Sequence, residues 1–94
     1  MDISNDIYIN NYVYYSNKIV INDKIIPNHK NYIYFCLDLE YNINNPYSYI
    51  YLIRHVLNNS IILWVDSKDL VVIPDSKQNI LEVLYDCKKD LRKV

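Results

Sequence analysis

The chain has 94 residues and a formal net charge of −1, with half its residues apolar and 22% charged. That is enough for one domain with its own core, and too apolar for a disordered segment. The charge balance supplies no global field for nucleic acid or an anionic membrane, and no apolar run approaches the ~20 residues of a membrane span.

Glycine, alanine and threonine are all absent, whereas isoleucine, asparagine, lysine and tyrosine abound. The missing residues need G or C in their codons, so an A+T-rich genome of the kind found in many viruses, phages, low-GC bacteria and protozoan parasites is the simplest source. Base composition does not explain 11 tyrosines against one phenylalanine. Tyrosine differs by a hydroxyl that needs water or a partner, so the excess suggests rings at a wet surface.

Residues 1 to 5 read as a loose, polar terminus unlike a signal peptide. From Asp6 to Pro27 the chain alternates, with Ile7, Ile9, Val13 and Tyr15 on one parity and Tyr8, Tyr12 and Tyr14 on the other. Asn10-Asn11 suits a bulge or tight turn, because asparagine tolerates positive φ where glycine is missing. Ser16-Asn17 turns into a strand over Lys18 to Ile21. Asn22-Asp23 is a primed hairpin turn into Lys24 to Ile26, and Pro27 stops the ladder.

Asn31 to Tyr41 (NYIYFCLDLEY) is the clearest strand, expected to be central in the sheet. Ile33, Phe35, Leu37, Leu39 and Tyr41 would face the core, opposite Tyr32, Tyr34, Cys36, Asp38 and Glu40. After a polar turn, Asn45-Pro46 predicts a helix start. Tyr49, Leu52, Ile53, Val56 and Leu57 form its apolar stripe, and Asn58-Asn59 its end. Its other face would carry Tyr47, Tyr51, Arg54, His55 and Asn58. Ser60 to Val65 and Leu70 to Ile73 predict a hairpin around Asp66 to Asp69. Asp75 with Gln78 resembles a capping box opening a last helix to about Leu91, burying Ile80, Leu84, Cys87 and Leu91. Lys88, Lys89, Arg92 and Lys93 complement the dipole at its end.

The expected fold is α+β: a single antiparallel-rich sheet of about five to six strands with two helices packed on one face, in the order β(β)(β)β–α–ββ–α, over one domain spanning the chain.

Without glycine there is no phosphate-cradling loop, dinucleotide fingerprint or nucleophile elbow. Asp38-Leu39-Glu40, at the end of an apolar strand, resembles the first motif of the DEDD 3′–5′ exonucleases, a family that cleaves nucleic acid with two metals. The resemblance implies metal-binding carboxylates at Asp38 and Glu40, but covers only about five residues. Tyr85 and Asp90 miss the family's last Tyr-x-x-x-Asp spacing by one, and its domains are much longer than this chain. A solvated strand end is the expected role of the pair. A Cys–His–Asp site could be drawn from Cys36, Asp38 and either His29 or His55, but nothing in the spacing brings them together. Cys36 and Cys87 have neither metal nor redox spacing and are expected as reduced, packed thiols. No catalytic residue, metal or cofactor is expected.

What remains is a surface. Tyr8, Tyr12, Tyr14, Tyr32 and Tyr34 would lie on the bare side of the sheet, with Tyr47, Tyr51, Arg54 and His55 on the first helix. An exposed aromatic patch of this kind is an interaction surface by default; the competing reading is that the rings pack under a loop or on one another, or that a bulge at Asn10-Asn11 flips the faces. The expected function is a small non-catalytic binding module with a protein partner, either a host protein or a second copy in a homodimer. Its concrete form would be a viral or phage accessory protein that inhibits a host-defence protein in the cytoplasm. The first alternative is single-stranded RNA or DNA stacked on the sheet tyrosines, ranked lower because only Lys18 and Lys24 interleave with that face, and the second is a structural subunit or homo-oligomer.

Overall fold

A computed structural model describes residues 6–26, 28, 32–44 and 48–88. It contains strands β1 (Tyr12–Tyr15), β2 (Ile19–Ile21), β3 (Lys24–Ile26), β4 (Ile33–Tyr41), β5 (Tyr49–His55), β6 (Ile62–Asp66) and β7 (Leu70–Val72), then helix α1 (Asp75–Tyr85). Five strands form an antiparallel sheet in the order β6-β5-β4-β1-β7, while β2 and β3 pair as a separate hairpin. The fold is α+β with one helix among the described residues, not the two expected.

The first helix expected from the sequence is β5. Tyr49, Leu52, Ile53, Val56 and Leu57 do fall at helical spacing, but Tyr49, Tyr51, Ile53 and His55 fall at strand spacing, and this second set faces inward. Tyrosine and isoleucine favour the pleated surface of a sheet, and a ready partner strand, β4, decides the ambiguity. The register runs from Tyr34 opposite His55 to Tyr41 opposite Tyr49. Pro46 and Tyr47 lie outside the described residues.

A bulge at Leu37, between Cys36 and Asp38, also corrects the face assignment in β4. Before it, Tyr34 and Cys36 point to one side and Ile33 and Phe35 to the other, and both sides are covered. After it the parity flips, so Leu39 joins the face of Tyr34 and Cys36. An extra residue in one strand has this effect because side chains alternate with a strict period of two.

The sheet cannot be flat. Its outermost strands, β6 and β7, would be four strand spacings apart, about 19 Å at ~4.8 Å each. Only a 3₁₀ turn, Ser67–Asp69, connects them, and three residues rising ~2 Å each cannot span that gap. The sheet therefore curls into a partly closed barrel. Val13, Tyr15, Tyr34, Cys36, Ile53 and Val65, drawn from β1, β4, β5 and β6, meet with Ile19 of the hairpin in its concave core. The opposite side of β1 and β4 forms a second, smaller core from Tyr12, Phe35, Ile73, Leu81 and Cys87 under α1.

Asparagine and aspartate fill the left-handed backbone positions that glycine would otherwise take. Asn22 and Asp23 have φ of 51° and 64°, as a two-residue primed turn between β2 and β3 requires, and Asn10 has φ of 62°. Asp86, at 55°, ends α1, and its N–H donates to the Glu82 carbonyl at 2.8 Å.

Helix α1 is shorter than expected and rotated about its axis. Asp75 makes no side-chain cap; Pro74 is the N-cap. Gln78 instead reaches into the sheet, where its Oε1 accepts from the Tyr12 N–H at 2.8 Å. Its Nε2 donates to the carbonyls of Tyr12 and Ile73 at 2.9 and 2.8 Å. That fastening turns Gln78 and Leu81 inward, and leaves Ile80 and Leu84, expected in the core, on the outside. Leu91 lies outside the described residues.

Candidate functional site

The tyrosines expected to form an open face are mostly structural. Tyr12 and Tyr34 are fully buried and Tyr51 nearly so, while Tyr8, Tyr14 and Tyr32 are half-buried against the cores. They are also divided between sides: Tyr12 and Tyr14 lie under α1, whereas Tyr8, Tyr32, Tyr34 and Tyr51 belong to the concave core. The parity expected from the sequence carried β1 and β4 through in one register, and their pairing of Tyr12 with Phe35 and Tyr14 with Ile33 places tyrosines of the two strands on opposite faces.

Each buried hydroxyl has a specific partner, which accounts for tyrosine in place of phenylalanine. The Tyr12 hydroxyl donates to Glu82 Oε1 at 2.6 Å and accepts from the Cys87 N–H at 3.2 Å, tying β1 to the end of α1. Tyr34 donates to Asn28 Oδ1 at 2.6 Å, and the Asn28 amide donates to the carbonyls of Tyr15 and Asn17 at 3.1 and 2.5 Å. Tyr51 donates to Asp6 Oδ2 at 2.5 Å, while Asp6 Oδ1 accepts from the N–H groups of Tyr8 and Ile9. Burial, followed by the acidic partner, raises the hydroxyl pKa of Tyr12 and of Tyr51. Burial, then the neighbouring Tyr15 and Tyr32, pushes Tyr34 up to about 12.

His55 and Arg54 do not share a face. His55 is buried on the concave side, its ring packed edge-on against Tyr32 and Tyr34 at 5.0 and 5.2 Å. Its Nδ1 accepts from the Leu57 N–H at 3.0 Å, and burial lowers its pKa. Arg54 projects from the other side of β5 and is half-buried. A helix face of Tyr47, Tyr51, Arg54 and His55 therefore does not exist: Tyr47 lies outside the described residues, and the other three are strand residues pointing two ways.

Among the described residues, which do not include His29 or Asp90, the short motifs are not brought together as a site. Asp38 and Glu40 are exposed, and Asp38 Oδ1 accepts from the Leu39 N–H at 2.8 Å. Among the described residues no group of three or more histidine, cysteine or acidic side chains is placed to hold a metal. Cys36 is buried in the concave core, where burial, then Asp6, pushes its thiol up to about 12. Such a thiol is no nucleophile at neutral pH. Cys87 sits in the other core, and both cysteines are free.

Part of the accessible apolar surface is formed by residues expected in the core, Ile80 and Leu84. On α1, Ile80, Val83 and Leu84 are 61%, 85% and 66% exposed. Their i, i+3, i+4 spacing aligns them along one side of the helix, opposite Gln78, Leu81 and Tyr85. The helix is thus inverted, with an amide among its buried residues and an aliphatic stripe outside. Its sequence contains the signal, since Gln78, Leu81, Glu82 and Tyr85 form a second helical stripe, but simple hydrophobicity favours the wrong one. Ile62 and Trp64 on β6 add exposed apolar area on the convex side of the sheet.

Comparison of the chain with known protein families, curated proteins and solved structures finds no match. Among the described residues no helix is long and apolar enough to cross a membrane.

Proposed function

We propose that the chain is a small protein-binding module without catalytic function, and that its contact surface is the outer stripe of α1. The observation that carries this reading is the exposure of Ile80, Val83 and Leu84 together on one helix side. Three adjacent large aliphatic groups in water are unfavourable by ~25 cal/mol per Å² of apolar area, a penalty that a complementary protein surface removes. A helix stripe of i, i+3, i+4 anchors laid in an apolar groove is a recurrent mode of protein recognition.

The concrete form we propose is an accessory protein of viral or phage origin that occupies a host-defence protein in the host cytoplasm. Its support is the A+T-rich residue usage. The nucleic-acid alternative is weaker, because base stacking needs accessible rings and Tyr12, Tyr34 and Tyr51 are buried.

The test is capture of partners from host lysate by tagged wild-type chain and by a Val83→Ser/Leu84→Ser variant, each with and without nuclease, beside sedimentation of the purified proteins. A protein partner, or a self-association, that survives nuclease and is lost in the variant is the expected result. A partner held equally by the folded variant would remove α1 from the interface, and a partner lost on nuclease treatment would favour nucleic acid.

A further inference from the structure

A second binding feature, independent of the α1 stripe, lies between the margins of two strands. Among the described residues, β6 ends the five-strand sheet on one side, and β2 pairs only with β3. The His55 N–H donates to the Ile61 carbonyl at 3.0 Å, which fixes the phase of the β5–β6 ladder. Backbone groups at 61, 63 and 65 therefore turn toward β5, and those of Ile62, Trp64 and Asp66 turn away from it.

The hairpin has the same logic. Its two-residue turn makes Ile21 and Lys24 a hydrogen-bonded pair, so Ile19 and Ile26 are the next, and Val20 turns its N–H and carbonyl away from β3. The neighbouring Lys18 already uses its own backbone: its N–H donates to Asn17 Oδ1 at 2.8 Å, and its carbonyl accepts from the Tyr15 hydroxyl at 3.3 Å. Val20 is thus the open position on β2.

Val20 and Trp64 border the same open cleft, a space of about 250 Å³ that Tyr15, Ile19, Leu63 and Val65 also line. Two strand margins facing one cleft match an occupant that is itself free on both margins. The β6 strand of a second copy is excluded, since β5 already holds one of its sides. A lone extended segment meets the requirement, with alternate apolar side chains directed at Ile19 and Val65 of the concave core.

We propose that the cleft between β2 and β6 takes an extended peptide segment of a partner protein, which hydrogen-bonds to the main chain of Trp64 on one side and of Val20 on the other. Inserted there, the segment joins hairpin and sheet into one continuous ladder. The proposal concerns a surface separate from α1, so either can fail without the other.

The probe is a phage-displayed library of random linear peptides panned against the full chain, with the best peptide measured in solution by fluorescence anisotropy. Trp64→Pro removes an N–H that the β5–β6 ladder does not use, and proline is tolerated at a sheet margin in that phase. Trp64→Thr keeps the N–H. Val20→Pro and Val20→Thr form the same pair on the hairpin, so the test survives a folding failure on either side. Each folded proline variant is expected to weaken binding about tenfold or more against its threonine control, with Val83→Ser/Leu84→Ser unchanged. Equal binding by proline and threonine variants, dependence on only one margin, loss of binding in the α1 variant, or a library yielding no peptide tighter than about 100 μM would overturn the proposal.

Discussion

Gln78 is inserted between Tyr12 and Ile73 where the β1–β7 ladder ends. Its Oε1 takes the Tyr12 N–H at 2.8 Å and its Nε2 serves the Ile73 carbonyl at 2.8 Å, so one side-chain amide replaces a missing peptide link. The Ile73 N–H still donates to the Tyr12 carbonyl at 3.1 Å. This fastening sets the rotation of α1, and through it which helix residues face water.

Removing that amide should be among the most damaging single changes. Gln78→Ala leaves the buried Tyr12 N–H and Ile73 carbonyl without their partner, and each such group costs roughly 1–3 kcal/mol. A loss of about 2–3 kcal/mol in urea unfolding is expected, with an unchanged m-value. A loss below ~0.5 kcal/mol would mean that strand and helix re-pair without it.

Two tyrosine-to-phenylalanine substitutions should separate bonded from unbonded hydroxyls. Tyr34→Phe strips Asn28 of its 2.6 Å donor and should destabilise by about 1 kcal/mol. Tyr14 is half-buried, and no hydroxyl bond is found for it among the described residues. Tyr14→Phe should stay within ~0.5 kcal/mol of wild type. Equal effects would refute the view that the hydroxyls act as ties.

At high pH the same ties set a limit. The Tyr12, Tyr34 and Tyr51 hydroxyls are all shifted above their ordinary 10.0. Unfolded tyrosines lose protons near pH 10 while these three keep theirs, so stability is full below that value and declines as pH rises through it. Absorbance at 295 nm should show these tyrosines ionising only with the loss of near-UV dichroism. Smooth ionisation of all 11 tyrosines in a folded chain would contradict this.

At low pH the sensitive group is His55. Its folded pKa is depressed, so the unfolded chain takes up the proton first; stability is intact above the ordinary value of 6.5 and falls as pH drops through it. Wild type should lose stability between pH 7 and 5, and a His55→Asn variant, which keeps an acceptor for the Leu57 N–H but does not titrate, should lose less. Parallel slopes for the two proteins would point to the carboxylates instead.

How far the sequence reveals this molecule depends on the range of the interaction. The Asn22-Asp23 hairpin and the strand identity of residues 33–41 depend on neighbours in sequence, and both were legible there. Tyr49 to His55 fits two periods, and only the partner strand β4 selects between them. The curl of the sheet follows from a three-residue connection between its two margins, a constraint invisible until the strand order is known. The tyrosines expected on an open face lie against the cores for the same reason. Long-range hydrogen bonds from Gln78 and Glu82 to Tyr12 turn outward an aliphatic stripe that, taken alone, belongs in a core.

The left-handed turn at Asn22 and Asp23 has a consequence for how the chain finds its fold. Glycine in such a turn would wander over many backbone states before folding, and asparagine and aspartate wander over far fewer. Closing the β2–β3 hairpin therefore forfeits less disorder than it would in a glycine-rich relative, and a two-residue loop closes in microseconds. The hairpin's contacts are local, so its closure is fast beside the longer-range joining of β1 to β4 and β7.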